Sequence, residues 1–287
     1  MGAIRKMIRF GVAGAPNKFY ELGHKASLEM PAFLHSIGLD AFEYQCGRGV
    51  NIGASLAQKL GEEAKKYNIT LSIHSPYYIN IANPDEKKRK NSLRYILQTL
   101  EAAKNMGANR IVVHMGGGSD NRQTAMEYSR KFIPYMMDAA AEQKLDDITI
   151  CFETMGKINQ LGSVEETLEI CSLNDLLLPC LDFGHINART QGSLKTEEDF
   201  EQIITQMQNI LGTERARNFH CHFSKILYTK AGESKHLTFE DTEYGPEFAP
   251  LAKVLKKHKC EPIIISESRG TQDIDALAMK QIMKGLK

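Results

Sequence analysis

Strand-like and helix-like runs alternate along this chain from one end to the other. Short β-branched or apolar runs without strict polar alternation mark buried parallel strands at 8–13, 41–44, 70–74, 110–114, 148–153, 178–182, 218–224 and 262–267. Between and after them, amphipathic stretches predict helices at 27–36, 54–67, 86–106, 123–142, 164–171, 197–211, 246–258 and 274–283. Gly38 and Gly107 stand where two of these helices should stop. Eight β–α units in strict alternation require a parallel sheet with helical crossovers. A doubly wound open sheet is the rival arrangement, but 287 residues suit closure, since a (β/α)₈ barrel takes about 250. We expect one TIM-barrel domain spanning residues 1–287.

Six of the expected strands end on a side chain that divalent metals favour: His74, His114, Glu153, Asp182, His220 and Glu267. In a closed barrel all C-terminal strand ends converge on one mouth, where such enzymes keep their chemistry. Three carboxylates gathered there would repel, and an unpaired buried carboxylate must be neutralised or pay several kcal/mol. A cation is the simplest remedy. Mixed imidazole and carboxylate donors without cysteine suit zinc or manganese rather than calcium or magnesium. Glu153, central in strand order, could bridge two ions at the ~3.5–4 Å separation used in phosphoryl chemistry. His185 follows Asp182 by three residues and could reach the same mouth, as could His236 in the long loop after strand seven. His220 and His222 are two apart on one strand and face the same side; one need bind, and the other would orient it.

Bulk properties exclude little. With 36 Lys and Arg against 35 Asp and Glu the net charge is +1, so no basic excess announces a nucleic-acid partner, although a local basic rim remains compatible with one. Six cysteines occur without a CxxC pair, which reads as buried thiols in a reducing cytoplasm rather than a disulfide framework. The first ten residues carry no apolar leader core, and no run is long enough to span a bilayer. The basic run at 86–90 reads as a solvated helix start.

The residues around the candidate ligands resemble the endonuclease IV family of apurinic/apyrimidinic endonucleases. The matching segments are His74-Ser75-Pro76-Tyr77-Tyr78-Ile79-Asn80, Val113-His114, Glu153-Thr154-Met155-Gly156-Lys157, Asp182-Phe183-Gly184-His185, His220-Cys221-His222-Phe223-Ser224-Lys225 and Ser266-Glu267-Ser268. They follow the family's order across nearly the whole chain. The resemblance implies a TIM barrel with a zinc cluster of two or three ions. It implies that His74 and His114 hold one ion, that Glu153 bridges to a second held by Asp182, His220 and Glu267, and that His185 and His236 serve a third. It implies further that Glu153 and Glu267 stand at the catalytic centre, and that Tyr77 and Tyr78 enter double-stranded DNA at an abasic site. The implied reaction is hydrolysis of the phosphodiester 5′ to that site by a metal-activated hydroxide, by a monomer acting in DNA repair.

Two departures from the family pattern stand out. Where better-known members carry Asp-x-His, this chain has Glu233-Ser234-Lys235-His236, one residue longer, which puts Glu233 and the third ion in question. Phe223 replaces a frequent acidic residue, which leaves His220 and His222 as alternatives. The Asp182-to-His185 motif and the terminal Glu267 are shared with sugar isomerases and epimerases on the same barrel. A single manganese-type ion held by Glu153, Asp182, His220 and Glu267, with Glu153 and Glu267 exchanging protons at adjacent carbons, is therefore the alternative activity. A non-catalytic binding protein on the same barrel is a third.

Overall fold

The computed structural model describes residues 7–117 and 121–286. The first six residues, where no leader is expected, and the last glycine of the run at 116–118 lie outside them.

Among the described residues ten strands form: β1 Arg9–Ala13, β2 Ala41–Gln45, β3 Thr70–His74, β4 Arg110–Val113, β5 Thr149–Glu153, β6 Leu177–Asp182, β7 His220–Phe223, β8 Ile226–Thr229, β9 Gly232–His236 and β10 Ile263–Ser266. Eight of them close into a parallel barrel in the order β1, β10, β7, β6, β5, β4, β3, β2. This is the (β/α)₈ TIM barrel expected from the alternation. The remaining two, β8 and β9, pair antiparallel as a hairpin beside the barrel. No hairpin was expected inside the loop after strand seven.

Alternate strand residues face opposite ways, and this sorts the barrel chemically. Ile73, Ile111, Val113, Ile150, Phe152, Leu181, Phe223 and Ile264 belong to the large core shared with the helices. The residues between them turn inward. Val112, Cys151, Leu178 and Cys180 form one small apolar cluster in the lumen, and Ala41, Ile263 and Ile265 another. Continuing the same parity upward brings Glu43, His74, His114, Glu153, Asp182, His222 and Glu267 above that apolar floor. Register completes the placement: Glu153 pairs with Cys180, while Asp182 pairs with His222. The wall is close-packed where glycine permits it; a Cβ on Gly11 would fall 2.0 Å from the Ala41 carbonyl oxygen.

The helices at Glu86–Met106, Val164–Cys171 and Glu197–Leu211 have the expected bounds. Asp85 caps the first by accepting from the Lys87 N–H, and Ser163 with Glu166 boxes the second. Three short helices were not expected, at Asn17–Glu21, Phe183–Arg189 and Thr213–Ala216. The second matters most: Asp182 caps it and so turns His185 toward the mouth. All six cysteines are buried and unpaired. Among the described residues, no helix is long and apolar enough to cross a membrane.

Candidate metal centre

Glu153 is the hub of the mouth. Its Oε2 lies 3.1 Å from His74 Nε2 and 2.8 Å from His114 Nε2. Its Oε1 lies 3.0 Å from His222 Nδ1 and 3.4 Å from His185 Nδ1. His74 is oriented by its other nitrogen, Nδ1, which donates to the Ser75 carbonyl at 2.9 Å. Burial opposes ionisation of Glu153, yet the charges of His222 and His114 and hydrogen bonds from His114 and His185 outweigh it and hold the carboxyl well below its usual range. Burial likewise works to lower His74, but the hydrogen bond and charge of Glu153, with Glu43 and Glu267 adding, raise it to about 9.

Ligand-type atoms converge in three groups around this hub. His74, His114 and Glu153 form the first; Glu153, Asp182, His222 and Glu267 the second; His185, Glu233 and His236 the third, the donor atoms within each lying within 4.8 Å of one another. The sequence-derived residues His74, His114, Glu153, Asp182, His185, His236 and Glu267 are therefore all brought to one mouth. Burial, and then the charges of Glu153 and Asp182, raise the Glu267 carboxyl, with His222 and His236 pulling the other way.

His220 is redirected. It sits two residues deeper on β7, opposite Cys180, fully buried, with Nε2 2.9 Å from Glu43 Oε2. Burial pushes its pKa down to about 4, the bond to Glu43 only partly opposing this. His222, one inward position higher, is the member of the pair that reaches Glu153 and, at 3.6 Å, Glu267. Both histidines face the lumen, and only their depth separates them. A fourth group, Cys180, His220 and His222, lies wholly buried beneath the mouth.

The lengthened Glu233-to-His236 segment is accommodated by a β-bulge. Leu227 pairs with Lys235 and Tyr228 with Glu233, so Ser234 is the extra residue in β9. Residues three apart on a regular strand point opposite ways; the bulge returns Glu233 and His236 to one side. Glu233 Oε2 lies 3.3 Å from His185 Nε2, and Glu233 Oε1 lies 3.9 Å from His236 Nε2. Ser224 Oγ, 2.9 Å from His236 Nδ1, holds the ring. The hairpin docks because glycines let backbones touch: a Cβ on Gly232 would fall 2.1 Å from the Gly156 carbonyl oxygen, and one on Gly156 2.5 Å from the Glu233 Cβ. Glu233, in question from the sequence, thus lies in one donor group with His185 and His236.

Glu43 was missed. It is fully buried on β2, contacts both β7 histidines, and accepts from Ser72 Oγ at 2.9 Å. A carboxylate inside the otherwise apolar run Ala41-Phe42-Glu43-Tyr44 was the available signal. Tyr77 and Tyr78 stand exposed on the loop after β3, their ring centroids 4.8 Å apart. The Tyr77 N–H donates to the Gly47 carbonyl, which ties this loop to the one after β2.

The donor set suits a divalent metal. Asp182 Oδ2 is buried and accepts no hydrogen bond, because its neighbour His185 Nδ1, 3.2 Å away, is turned to the Thr154 carbonyl. Among the described residues, the carboxylates of Glu43, Glu153, Asp182, Glu233 and Glu267 pair with histidines and with no lysine or arginine. The histidine nitrogens at 3.0–3.4 Å from carboxylate oxygens need either protons or cations between them.

A family model described as xylose isomerase-like TIM barrel matches residues 31–287. An uncharacterised protein of Methanocaldococcus jannaschii is 32% identical over 277 residues, 96% of each chain. A probable endonuclease 4 of Staphylococcus epidermidis is 28% identical over 209 residues, 67% of each chain. Among solved structures, a D-tagatose 3-epimerase-like protein superposes with a TM-score of 0.72 at 22% identity, covering 96% of both chains. Endonuclease IV from Thermus thermophilus superposes at 0.70 with 16% identity, covering 96% of this chain and 99% of that one. At such identities the superpositions speak for the fold alone. The chain belongs to the xylose isomerase-like TIM barrel family, in which its sequence resemblance to endonuclease IV also places it.

Proposed function

We propose that this protein is a metal-dependent phosphodiesterase that incises double-stranded DNA 5′ to abasic sites and leaves a 3′-hydroxyl. The observation that carries the reading is the gathering of three donor groups at one mouth, two of them sharing Glu153, rather than the one group a single-ion enzyme needs. Zinc, with manganese as the alternative, suits five histidines mixed with four carboxylates. His74 and His114 would hold one ion, Asp182, His222 and Glu267 a second, and His185, Glu233 and His236 a third, with Glu153 shared. Ions held there would supply Lewis acidity, lowering the pKa of water to about 7 and stabilising charge on the attacking and leaving oxygens of the displacement.

The chain's own residues do the rest. Glu153 and Glu267 would hold and orient the ions beside the reacting phosphodiester rather than attack it. Tyr77 and Tyr78 project from the rim and would stack on bases beside the gap, where unstacking costs least because a base is already missing. Exposed Arg48, Lys157, Lys235 and Arg269 on the mouth-side loops and β9 supply cations for flanking phosphates, a local basic rim on a chain of nearly neutral net charge.

The group of Glu153, Asp182, His222 and Glu267 would by itself serve a single-ion sugar epimerase, the second reading. One experiment separates them. A labelled duplex with one abasic site is incubated with metal-loaded protein, with and without chelator, beside a ketose epimerisation assay. Nicking 5′ to the site that chelator abolishes supports the proposal. An intact duplex together with sugar epimerisation overturns it.

A further inference from the structure

We infer that Glu43 is a positioning residue for the metal centre: from beneath the mouth it holds His222 with Nδ1 aimed at the cluster. The inference rests on reading that cluster as a metal centre, and it goes beyond the ligands themselves.

Glu43 sits on β2, across the lumen from β7, and is fully buried. Its Oε1 lies 3.0 Å from His222 Nε2, and its Oε2 lies 2.9 Å from both His220 Nε2 and Ser72 Oγ. One carboxylate thus faces two imidazole nitrogens and a hydroxyl from inward-facing positions of the barrel, and its Oε1 also accepts from Gln45 Nε2 at 3.1 Å. An ionised carboxylate only accepts hydrogen bonds. His220 therefore presents Nε2–H to it, whereas His222 Nε2, though 3.0 Å away, makes no aligned hydrogen bond and His222 bonds Glu153 through Nδ1. A cation taking up the Nδ1 electron pair would leave Nε2–H as the proton that faces Glu43. That Nδ1 is the atom 3.0 Å from Glu153 Oε1 and 3.6 Å from Glu267 Oε1. Glu43 therefore stands where it would favour the Nε2–H tautomer that a ligand at this position requires, by the same logic as other carboxylate–histidine–metal arrangements.

His220 completes the device without joining the cluster. It occupies the second oxygen of Glu43, which stops the carboxylate from rotating, and Ser72 on the adjacent strand fixes it from the side. The His-x-His spacing on β7 then has a physical reason: inward positions two apart let a single carboxylate grip both rings, the upper one as ligand and the lower one as brace.

The test compares wild type with Glu43→Gln. Glutamine has the same shape, but its amide offers one accepting oxygen where the carboxylate offers two, so it can support the Nε2–H form of only one of the two rings. Three quantities are read: ions retained per chain, zinc affinity in competition with a chromophoric chelator, and thermal unfolding of the metal-free protein. The expected result is zinc binding at one site weakened by about 10–100-fold, the other ions retained, and metal-free unfolding little changed. Equal zinc affinity at every site in the two proteins overturns the inference while leaving the metal centre standing. A wild type that binds no metal overturns both. A merely structural role would instead lower metal-free unfolding and weaken all ions together, and that outcome also counts against the inference. If Glu43→Gln does not fold, the ¹⁵N spectrum of the zinc-loaded wild type decides: His222 protonated at Nε2 upholds the inference, and His222 protonated at Nδ1 overturns it.

Discussion

His220 and His222 stand two residues apart on β7, both facing the lumen and both touching Glu43, yet only His222 also reaches Glu153. The two should fail differently. His222→Ala removes a ligand, and we expect the loss of one ion per chain and a fall in incision beyond the ~10–100-fold typical of outer-sphere partners. His220→Ala instead strips a neutral hydrogen-bond donor from a buried carboxylate and should lower stability by about 1.5–3 kcal/mol, with the number of ions unchanged in the folded fraction. Elemental analysis beside denaturant unfolding separates the two; reversed behaviour would return the ligand role to His220.

Glu233 reaches His185 only because the bulge at Ser234 turns it inward. Glu233→Ala should lower bound metal by one ion per chain and leave thermal unfolding of the metal-free protein nearly unchanged, since the hairpin's backbone contacts to Gly156 and Ile158 persist. Deleting Ser234 restores the two-residue spacing of an ordinary strand and should keep the ion. Loss of metal on that deletion would mean that the bulge does more than restore facing.

These two cases mark where the sequence was readable. Strand and helix bounds were legible wherever local chemistry agrees with the fold, as at Asp85 and Ser163, each capping the helix that follows. The parity of the strands likewise places His74, His114, Glu153 and Asp182 in one lumen. The depth of His220 against His222 was not legible, because it follows from the register of β7 against β6, a relation between distant segments. The hairpin was hidden for a similar reason. Gly232-Glu233-Ser234-Lys235-His236 has little strand propensity of its own, and it becomes a strand by docking on Gly156. Glu43 shows a third limit: a lone carboxylate in an apolar strand signals a partner without naming it.

Proton and metal compete at the mouth. In the metal-free protein His74 is raised to about 9 from an unfolded value of 6.5, so its stabilising contribution is fully present below about pH 6.5 and is lost as pH rises through 9. Metal binding runs the other way, since the ligand must shed that proton. Between pH 6.5 and 9 we expect metal-free thermal stability to fall while zinc affinity climbs, roughly tenfold per pH unit from this group alone. Chelator competition at pH 6.5, 7.5 and 8.5 checks the sign; affinity that is flat or falls across this window contradicts a histidine-based site.

Tyr77 and Tyr78 stand exposed on the rim and belong to none of the donor groups, so truncating them should affect binding before chemistry. Stacking on a base is worth about 1–3 kcal/mol, and Tyr77→Ala should weaken binding to an abasic duplex by roughly five- to a hundredfold, with single-turnover incision at saturating protein nearly unchanged. Replacing exposed Lys157 or Arg269 should weaken binding to any duplex alike and reduce the salt dependence by about one counterion each. Equal loss on abasic and intact duplexes for Tyr77→Ala would remove the tyrosines from lesion recognition.

The central claim is that the mouth is a multinuclear metal centre organised by Glu153. Elemental analysis of protein purified without a metal-binding tag tests it most directly. The account predicts two or three ions per chain, zinc foremost, with loss of more than one of them in Glu153→Ala. One ion or none per chain in the folded wild type would contradict it.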